Sequence, residues 1–338
     1  MDKDPFFSII MPTFNVEKYI EETINCIISQ SFEDWELIIV DDCSSDKTLD
    51  LLKKYEKDGR IRISLRENNS GGCFIPRKEA ADTAKGKFLL QLDADDLINA
   101  SYLSELHQII LKEECDLVLT QMWRFRDDKN TAYKILPKSD VDTNRIWEGK
   151  ELVKFTLLDW TISMNGYAVK REIFIKSGEY VKKSTLSCEK ADELQGRYLL
   201  YFSNKVAFSS SKYLYRLNNE SITSNRFNEM LRLSVVVPEL IEFTRKFYDL
   251  NSTEYWLSKI NFFFFVFTLY EAYDNPNLDK SEKVVLKKLI NDFRKEINLK
   301  EFKGKVGLHY FYLMKMPDNI GRPLLHIIKI LRKILKKT

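Results

Sequence analysis

The chain of 338 residues carries 53 Lys and Arg against 50 Asp and Glu, a formal net charge of +3, with 44% hydrophobic and 30% charged residues. Such a length predicts a principal domain with an extension, and the composition excludes long disorder. The near balance of charge excludes a surface built for nucleic acid, so no nucleic-acid partner is expected.

Apolar runs at 7–11, 35–40, 61–65 and 88–92 read as strands. The second and fourth are almost wholly apolar, as in strands covered on both faces. Between the first two, 17–30 sets Ile20, Ile24, Ile27 and Ile28 on one helical face, and 46–57, 76–85 and 101–112 are likewise helical. This alternation predicts an α/β fold with a parallel, doubly wound sheet and right-handed crossovers. From about 116 to 226 short strand-like pieces, 206–208 and 213–216 among them, mix with polar turns and a helix over 193–202. Beyond 225 the chain reads as helical and rich in Lys, Leu, Ile and Phe.

The last segment, 322–338, repeats Leu324, Ile327, Ile328, Leu331, Ile334 and Leu335 at helical spacing beside Lys329, Arg332, Lys333, Lys336 and Lys337. A cationic amphipathic helix of this kind suits either peripheral contact with an anionic membrane or simple docking with solvated charges. The apolar run 262–270 is far short of the roughly 20 residues that span a bilayer, and the N-terminus lacks the basic start and long apolar core of a signal peptide. The expected location is cytoplasmic, with membrane contact at most peripheral. Five scattered cysteines without CxxC spacing and three distant histidines fit reduced, packed thiols and leave no zinc pattern. Any metal site must be built from oxygen ligands.

In open α/β sheets ligands sit outside the carboxyl ends of the strands. The first strand ends in Pro12-Thr13-Phe14-Asn15, the second in Asp41-Asp42 and the fourth in Asp93-Ala94-Asp95-Asp96. Five acids on one rim repel one another unless something positive lies between them. A hard divalent cation, Mg2+ or Mn2+, answers that need and leaves positions for phosphate. The competing reading, strongest for Asp46 and Asp96 taken singly, is that such acids only cap the next helix.

The segments 8–15, 35–42 and 92–96, with Asn68-Asn69-Ser70-Gly71 leading into Pro76-Arg77, resemble in order and spacing the signatures of glycosyltransferase family 2. The resemblance covers about residues 6–225. It implies a GT-A fold, a mostly parallel Rossmann-like sheet flanked by helices, with 226–338 as a helical C-terminal extension. The nucleotide-sugar half is then about 1–120 and the acceptor half about 121–225. It also implies a nucleotide-diphosphate sugar donor, commonly a UDP-sugar, a divalent metal and inversion at the anomeric carbon. Pro12 and Phe14 fall where the family lines the base pocket, and Asp42 where a carboxylate accepts from the uracil ring. Asp93 falls near the ribose and Asp95 at the metal, with Asp96 able to exchange roles with Asp95.

An inverting transfer needs a general base. The family's Glu-Asp pair falls on Ala191-Asp192, which makes Asp192 the candidate and, because the glutamate is missing, leaves Glu189 and Glu193 open. Asp192 also fits an ordinary N-cap. Arg216, in a segment like the family's Tyr-x-Tyr-Arg, is a candidate for donor phosphate or a surface arginine. Trp147 and Trp160 fit core packing better than sugar stacking. The expected activity extends a cell-surface saccharide, free or lipid-linked; the alternative is a non-catalytic nucleotide-sugar-binding or scaffold protein of the same fold. No Gly-x-Gly-x-x-Gly follows the first strand and no Gly-Lys-Ser/Thr loop occurs, against other nucleotide-using classes.

Overall fold

A computed structural model describes residues 4–126, 128–157, 162–181, 191–217 and 226–297. Strands β1 (Phe7–Thr13), β2 (Trp35–Asp41), β3 (Ile61–Leu65) and β4 (Phe88–Gln91) pair in parallel in the order β3-β2-β1-β4. Phe7 stands opposite both Trp35 and Phe88. Their near-continuous apolar runs follow from burial on both faces. Ile10, Ile38, Val40 and Leu89 enter one core, while Ile9, Met11, Leu37, Ile39 and Leu90 enter the other.

The crossovers are helical, as expected: α1 (Ile20–Ile28), α2 (Thr48–Leu52) with a 3-10 turn at Lys53–Tyr55, and α3 (Phe74–Thr83). Helix α1 buries Ile20, Ile24 and Ile27 together with Thr23. Asp46 behaves as the helix-entry reading required, its carboxylate accepting from the backbone N–H groups of Thr48 (2.9 Å) and Glu17 (3.1 Å).

Past β4 the sheet is mixed. The elements are β5 (Leu97–Ile98), α4 (Tyr102–Glu113), β6 (Leu117–Phe125), β7 (Tyr133–Leu136), α5 (Gly149–Leu152), β8 (Ala168–Lys170), α6 (Arg171–Glu179), α7 (Ala191–Phe202) and β9 (Val206–Arg216). The order continues β4-β8-β6-β9-β5, with β7 beside β6. Strand β8 lies antiparallel to both β4 and β6, and β6 runs parallel to β9. Purely parallel winding therefore stops at β4. The reason is β8, a three-residue strand inserted in the opposite sense. The two strand-like pieces near 206 and 213 are one strand, β9, joined through Ser209-Ser210-Ser211 where its register against β6 shifts.

The extension is three helices, α8 (Arg226–Phe247), α9 (Thr253–Tyr273) and α10 (Lys280–Glu296). Ser252 caps α9, and Asp279 with Glu282 forms a capping box on α10. Phe262, Phe265, Val266 and Leu269 of α9 meet Leu286, Ile290 and Phe293 of α10 in a third core. The greasy run is thus a buried helix, and no helix among the described residues is long and apolar enough to cross a membrane. Leu240 and Phe243 of α8 join the main core. The amphipathic segment 322–338, Trp160 and Glu189 lie outside the described residues.

Candidate active site

The rim begins where β1 and β2 end. Asp41 is wholly buried and its carboxylate is taken by Thr13 Oγ1 (2.9 Å), Ser44 Oγ (2.6 Å) and the Ser44 N–H (2.8 Å). Asn15, at φ +51°, turns the chain and accepts from the Ser45 N–H at 2.8 Å. This leaves Phe14 at the rim, 44% exposed, with Pro12 half-buried behind it.

Asp42, the expected acceptor from a uracil ring, is engaged within the protein. Its side chain is buried and accepts from Arg66 Nη1 (2.6 Å), Ser70 Oγ (2.8 Å) and the Ser70 N–H (3.0 Å). Asn69 adds a bond from Nδ2 to the Asp42 carbonyl at 3.0 Å. The Asn-Asn-Ser-Gly segment is thereby tied to the end of β2, with Gly71 at φ +82° completing the turn.

At the end of β4, Asp93 is ion-paired to Arg77, whose second Nη lies 3.3 Å from Asp192. Arg77 is only 3% exposed, on the inner face of α3 with Phe74, Ala80 and Ala81. Gln91 turns its oxygen to this guanidinium at 3.1 Å and its amide nitrogen to the Tyr167 hydroxyl, the orientation its partners require. Burial opposes the charge of Arg77, but Asp93, aided by Asp192, outweighs it and holds the group well above its ordinary range. Burial also pushes the Cys73 thiol up to about 12, which disfavours its thiolate.

Asp96 faces inward. It is 1% exposed and takes the Tyr213 hydroxyl (2.5 Å) and the Arg216 N–H (2.8 Å), while Thr23 Oγ1 donates to the carbonyls of Ala94 and Asp96 at 3.0 Å each. Burial first, then the charges of Asp95 and Asp93, raise its pKa well above the carboxylate range and favour its neutral form. Asp95 is the partly exposed member of the pair. Arg216 braces this turn from behind: Nε donates to the Asp95 carbonyl (2.8 Å), Nη2 pairs with Glu22 (2.6 Å), and its guanidinium lies over Tyr19 and Phe125.

Asp192 sits in the first turn of α7, and its Oδ1 accepts from the Glu193 N–H at 2.8 Å. Through Arg77 it shares one cation with Asp93. Trp147 is core, 8% exposed, with Nε1 on the Asp142 carbonyl at 2.7 Å.

The need for positive charge among the rim acids is met in a way the sequence reading missed. Arg66 answers Asp42, Arg77 answers Asp93 and Asp192, backbone and hydroxyl donors answer Asp41, and Asp96 favours neutrality. Among the described residues no three His, Cys, Asp or Glu side chains are grouped to hold a metal. A cation at this rim would draw on Asp95 and on oxygens of its ligand, the mode in which Mg2+ is bound by one or two carboxylates with substrate phosphates. The signal for Arg77 was present: an arginine in step with apolar residues on a helix that must pack on the sheet.

A family model described as Glycosyl transferase family 2 matches residues 8–178. The poly(ribitol-phosphate) beta-N-acetylglucosaminyltransferase TarS of Staphylococcus aureus is 41% identical over 118 residues, 34% of this chain and 21% of TarS. The aligned stretch thus spans about a fifth of that relative. The UDP-Glc:alpha-D-GlcNAc-diphosphoundecaprenol beta-1,3-glucosyltransferase WfgD of Escherichia coli is 28% identical over 251 residues, 73% of this chain and 92% of WfgD. The crystal structure of S. aureus TarS 1-349 with UDP-GlcNAc has the same fold, with a TM-score of 0.64 at 21% identity over 91% of this chain and 86% of that one.

Proposed function

Because the chain belongs to glycosyl transferase family 2, we propose that it moves a sugar from a nucleotide-diphosphate donor, UDP-linked, to a saccharide or lipid-linked acceptor in cell-surface polysaccharide synthesis. The observation that carries the reading is the Arg77 bridge, which brings a donor-side acid of β4 and the candidate base of α7 to one cation. The UDP and UDP-GlcNAc named with the TarS structures support a UDP-sugar, and the printed activity of WfgD supports a lipid-linked saccharide acceptor, whereas that of TarS names a poly(ribitol-phosphate) one.

In this reading Pro12 and Phe14 line the base pocket, and the Asp42–Arg66–Ser70 knot holds its wall. Asp93, steadied by Arg77, meets the ribose. Asp95 would hold a Mn2+ or Mg2+ ion, which would supply positive charge to the diphosphate leaving group. Asp192 takes the proton of the acceptor hydroxyl while that oxygen bonds to the anomeric carbon and the bond from this carbon to the diphosphate breaks. One displacement from the opposite face inverts the carbon. Asp96 and Arg216, placed among the donor contacts by the sequence reading, are assigned here to shaping the Asp95 turn. We assign 1–225 to the transferase domain and 226–338 to a helical region whose cationic end, 322–338, supports peripheral contact with the inner face of the membrane.

Ala191, standing where the family has glutamate, favours one second reading, a nucleotide-sugar-binding protein without turnover. Release of UDP from a panel of UDP-sugars, with Mn2+, Mg2+ or chelator, separates the two. Metal-dependent release supports transfer. Saturable UDP-sugar binding without release on any acceptor favours the second reading, and no binding of any nucleotide sugar overturns both.

A further inference from the structure

On the flank of the sheet away from the Asp42–Ser70 wall lies an open cavity of about 770 Å³. Its floor is one face of the β5–β9–β6 strands, where Trp123 stands opposite Leu214 and Lys212 follows the alternation of β9. One wall is the stripe Glu22, Asn25 and Cys26 of α1, the i, i+3, i+4 face of that helix, with Ser29 at its C-cap; the other is the turn through Lys129 and Asn130. The donor-side groups Asp42, Ser70 and Arg77 are not among its lining residues.

The lining is chemically consistent. Amide side chains carry both a donor and an acceptor, which matches hydroxyl groups that do the same. An indole offers an apolar face to the C–H groups of a ring. Lys212 Nζ lies 4.3 Å from the Trp123 ring centroid, and Lys129 Nζ lies 3.6 Å from Glu22. Glu22 already pairs with Arg216 at 2.6 Å, so the two ammonium groups leave the cavity positive. A volume of this size belongs with small-ligand sites, but a lining divided between polar and apolar atoms suits a hydroxylated ligand better than a greasy one.

We propose that this cavity binds an acidic, polyhydroxylated chain: hydroxyls on Asn25 and Asn130, a ring or carbon chain against Trp123, and a carboxylate or phosphate at Lys129 and Lys212. Glu22 links it to the rim, since its partner Arg216 holds the Asp95 carbonyl. That the bound chain is a remote part of the acceptor rests on the transferase reading; the binding itself does not.

The test is calorimetric titration of the full chain, with UDP saturating, against hexagalacturonate, a glycerol-phosphate hexamer, maltohexaose and a thymidylate hexamer. The expected result is saturable binding of an acidic hexamer, about tenfold tighter than maltohexaose, and the better of the two identifies the anion as carboxylate or phosphate. Lys129→Ala with Lys212→Ala, both at exposed positions, should bring the acidic probe to the level of the neutral one, and Trp123→Ala should weaken every saccharide. UDP affinity should not change in either variant. Failure of both acidic probes to bind, tightest binding of the thymidylate hexamer, displacement by UDP, or unchanged affinity in the double variant each overturns the proposal. Transfer without probe binding sinks this inference alone, and probe binding without transfer sinks only the transferase reading.

Discussion

Arg77 Nη1 lies 3.3 Å from Asp192 Oδ2, joining residues 115 positions apart in the chain. The other Nη of the same guanidinium holds Asp93, so one buried cation sets the spacing between a strand end and a helix start. Removing it leaves two acids facing each other with nothing between. Arg77→Ala should cost about 2–3 kcal/mol, less than the 3–5 of a fully buried pair because Asp93 and Asp192 keep some hydration. Arg77→Lys should recover only part of this, since one ammonium cannot fork to two carboxylates and Gln91. Thermal and urea unfolding of the three proteins give the order directly.

Asp192→Asn keeps the shape of the side chain and its place beside Arg77 but cannot take a proton. The expected loss is about 10²- to 10⁴-fold in kcat, the range of a general base. UDP-sugar affinity should stay at the parent value. Glu193→Gln should be nearly silent on kcat. A silent Asp192→Asn with a crippled Glu193→Gln would move the base by one residue.

Asp95→Ala should remove the metal dependence of UDP-sugar binding, whereas Asp96→Asn should leave it in place. Both oxygens of the inward Asp96 carboxyl accept, one from the Tyr213 hydroxyl and one from the Arg216 N–H, so an amide keeps the second bond and turns its nitrogen toward the hydroxyl donor of the first. Asp96→Asn should therefore cost about 1 kcal/mol, the net worth of one hydrogen bond. Asp96→Ala strands both partners and should cost about 2–3 kcal/mol. Metal titration followed by thermal melting measures both quantities on one sample.

His107 supplies a pH dependence. Its ring lies 4.5 Å from both Phe6 and Phe32, and burial lowers its pKa against the smaller opposing pull of Asp34. A histidine depressed in the folded state stabilises above its unfolded pKa, about 6.5, and loses that contribution as pH falls through the folded value. Between pH 7 and 5 the parent should lose Tm relative to His107→Phe, which keeps the ring contacts and takes no proton. The gap should close on returning to pH 7.

The parallel half of the fold was readable because β1, β2 and β4 are buried on both faces and their helices carry a clear stripe, as Ile20, Ile24 and Ile27 do on α1. Strands β5, β7 and β8 were not, since runs of two to four residues such as Leu97–Ile98 have no period and exist only through their partners. At the rim the acids could be listed from the sequence, but not which way each one turns. Asp41, Asp42 and Asp96 point into protein because Ser44, Ser70 and Tyr213 reach them from loops and a distant strand. Arg77 escaped notice as chemistry because a cation between two acids is a tertiary fact: its partners are 16 and 115 residues away.

The antiparallel wedge β8 also has a consequence for how the protein is made. Strands β1 to β4 can pair once residue 91 has left the ribosome, but β6 can take its seat only after residue 170 has supplied β8 between them. Until then the nascent chain carries β4 as a bare apolar edge, open to pairing with another copy. The parallel half of the molecule thus spends part of its birth as an aggregation hazard, and its yield in cells should respond more to holding chaperones than to improvements in the finished core.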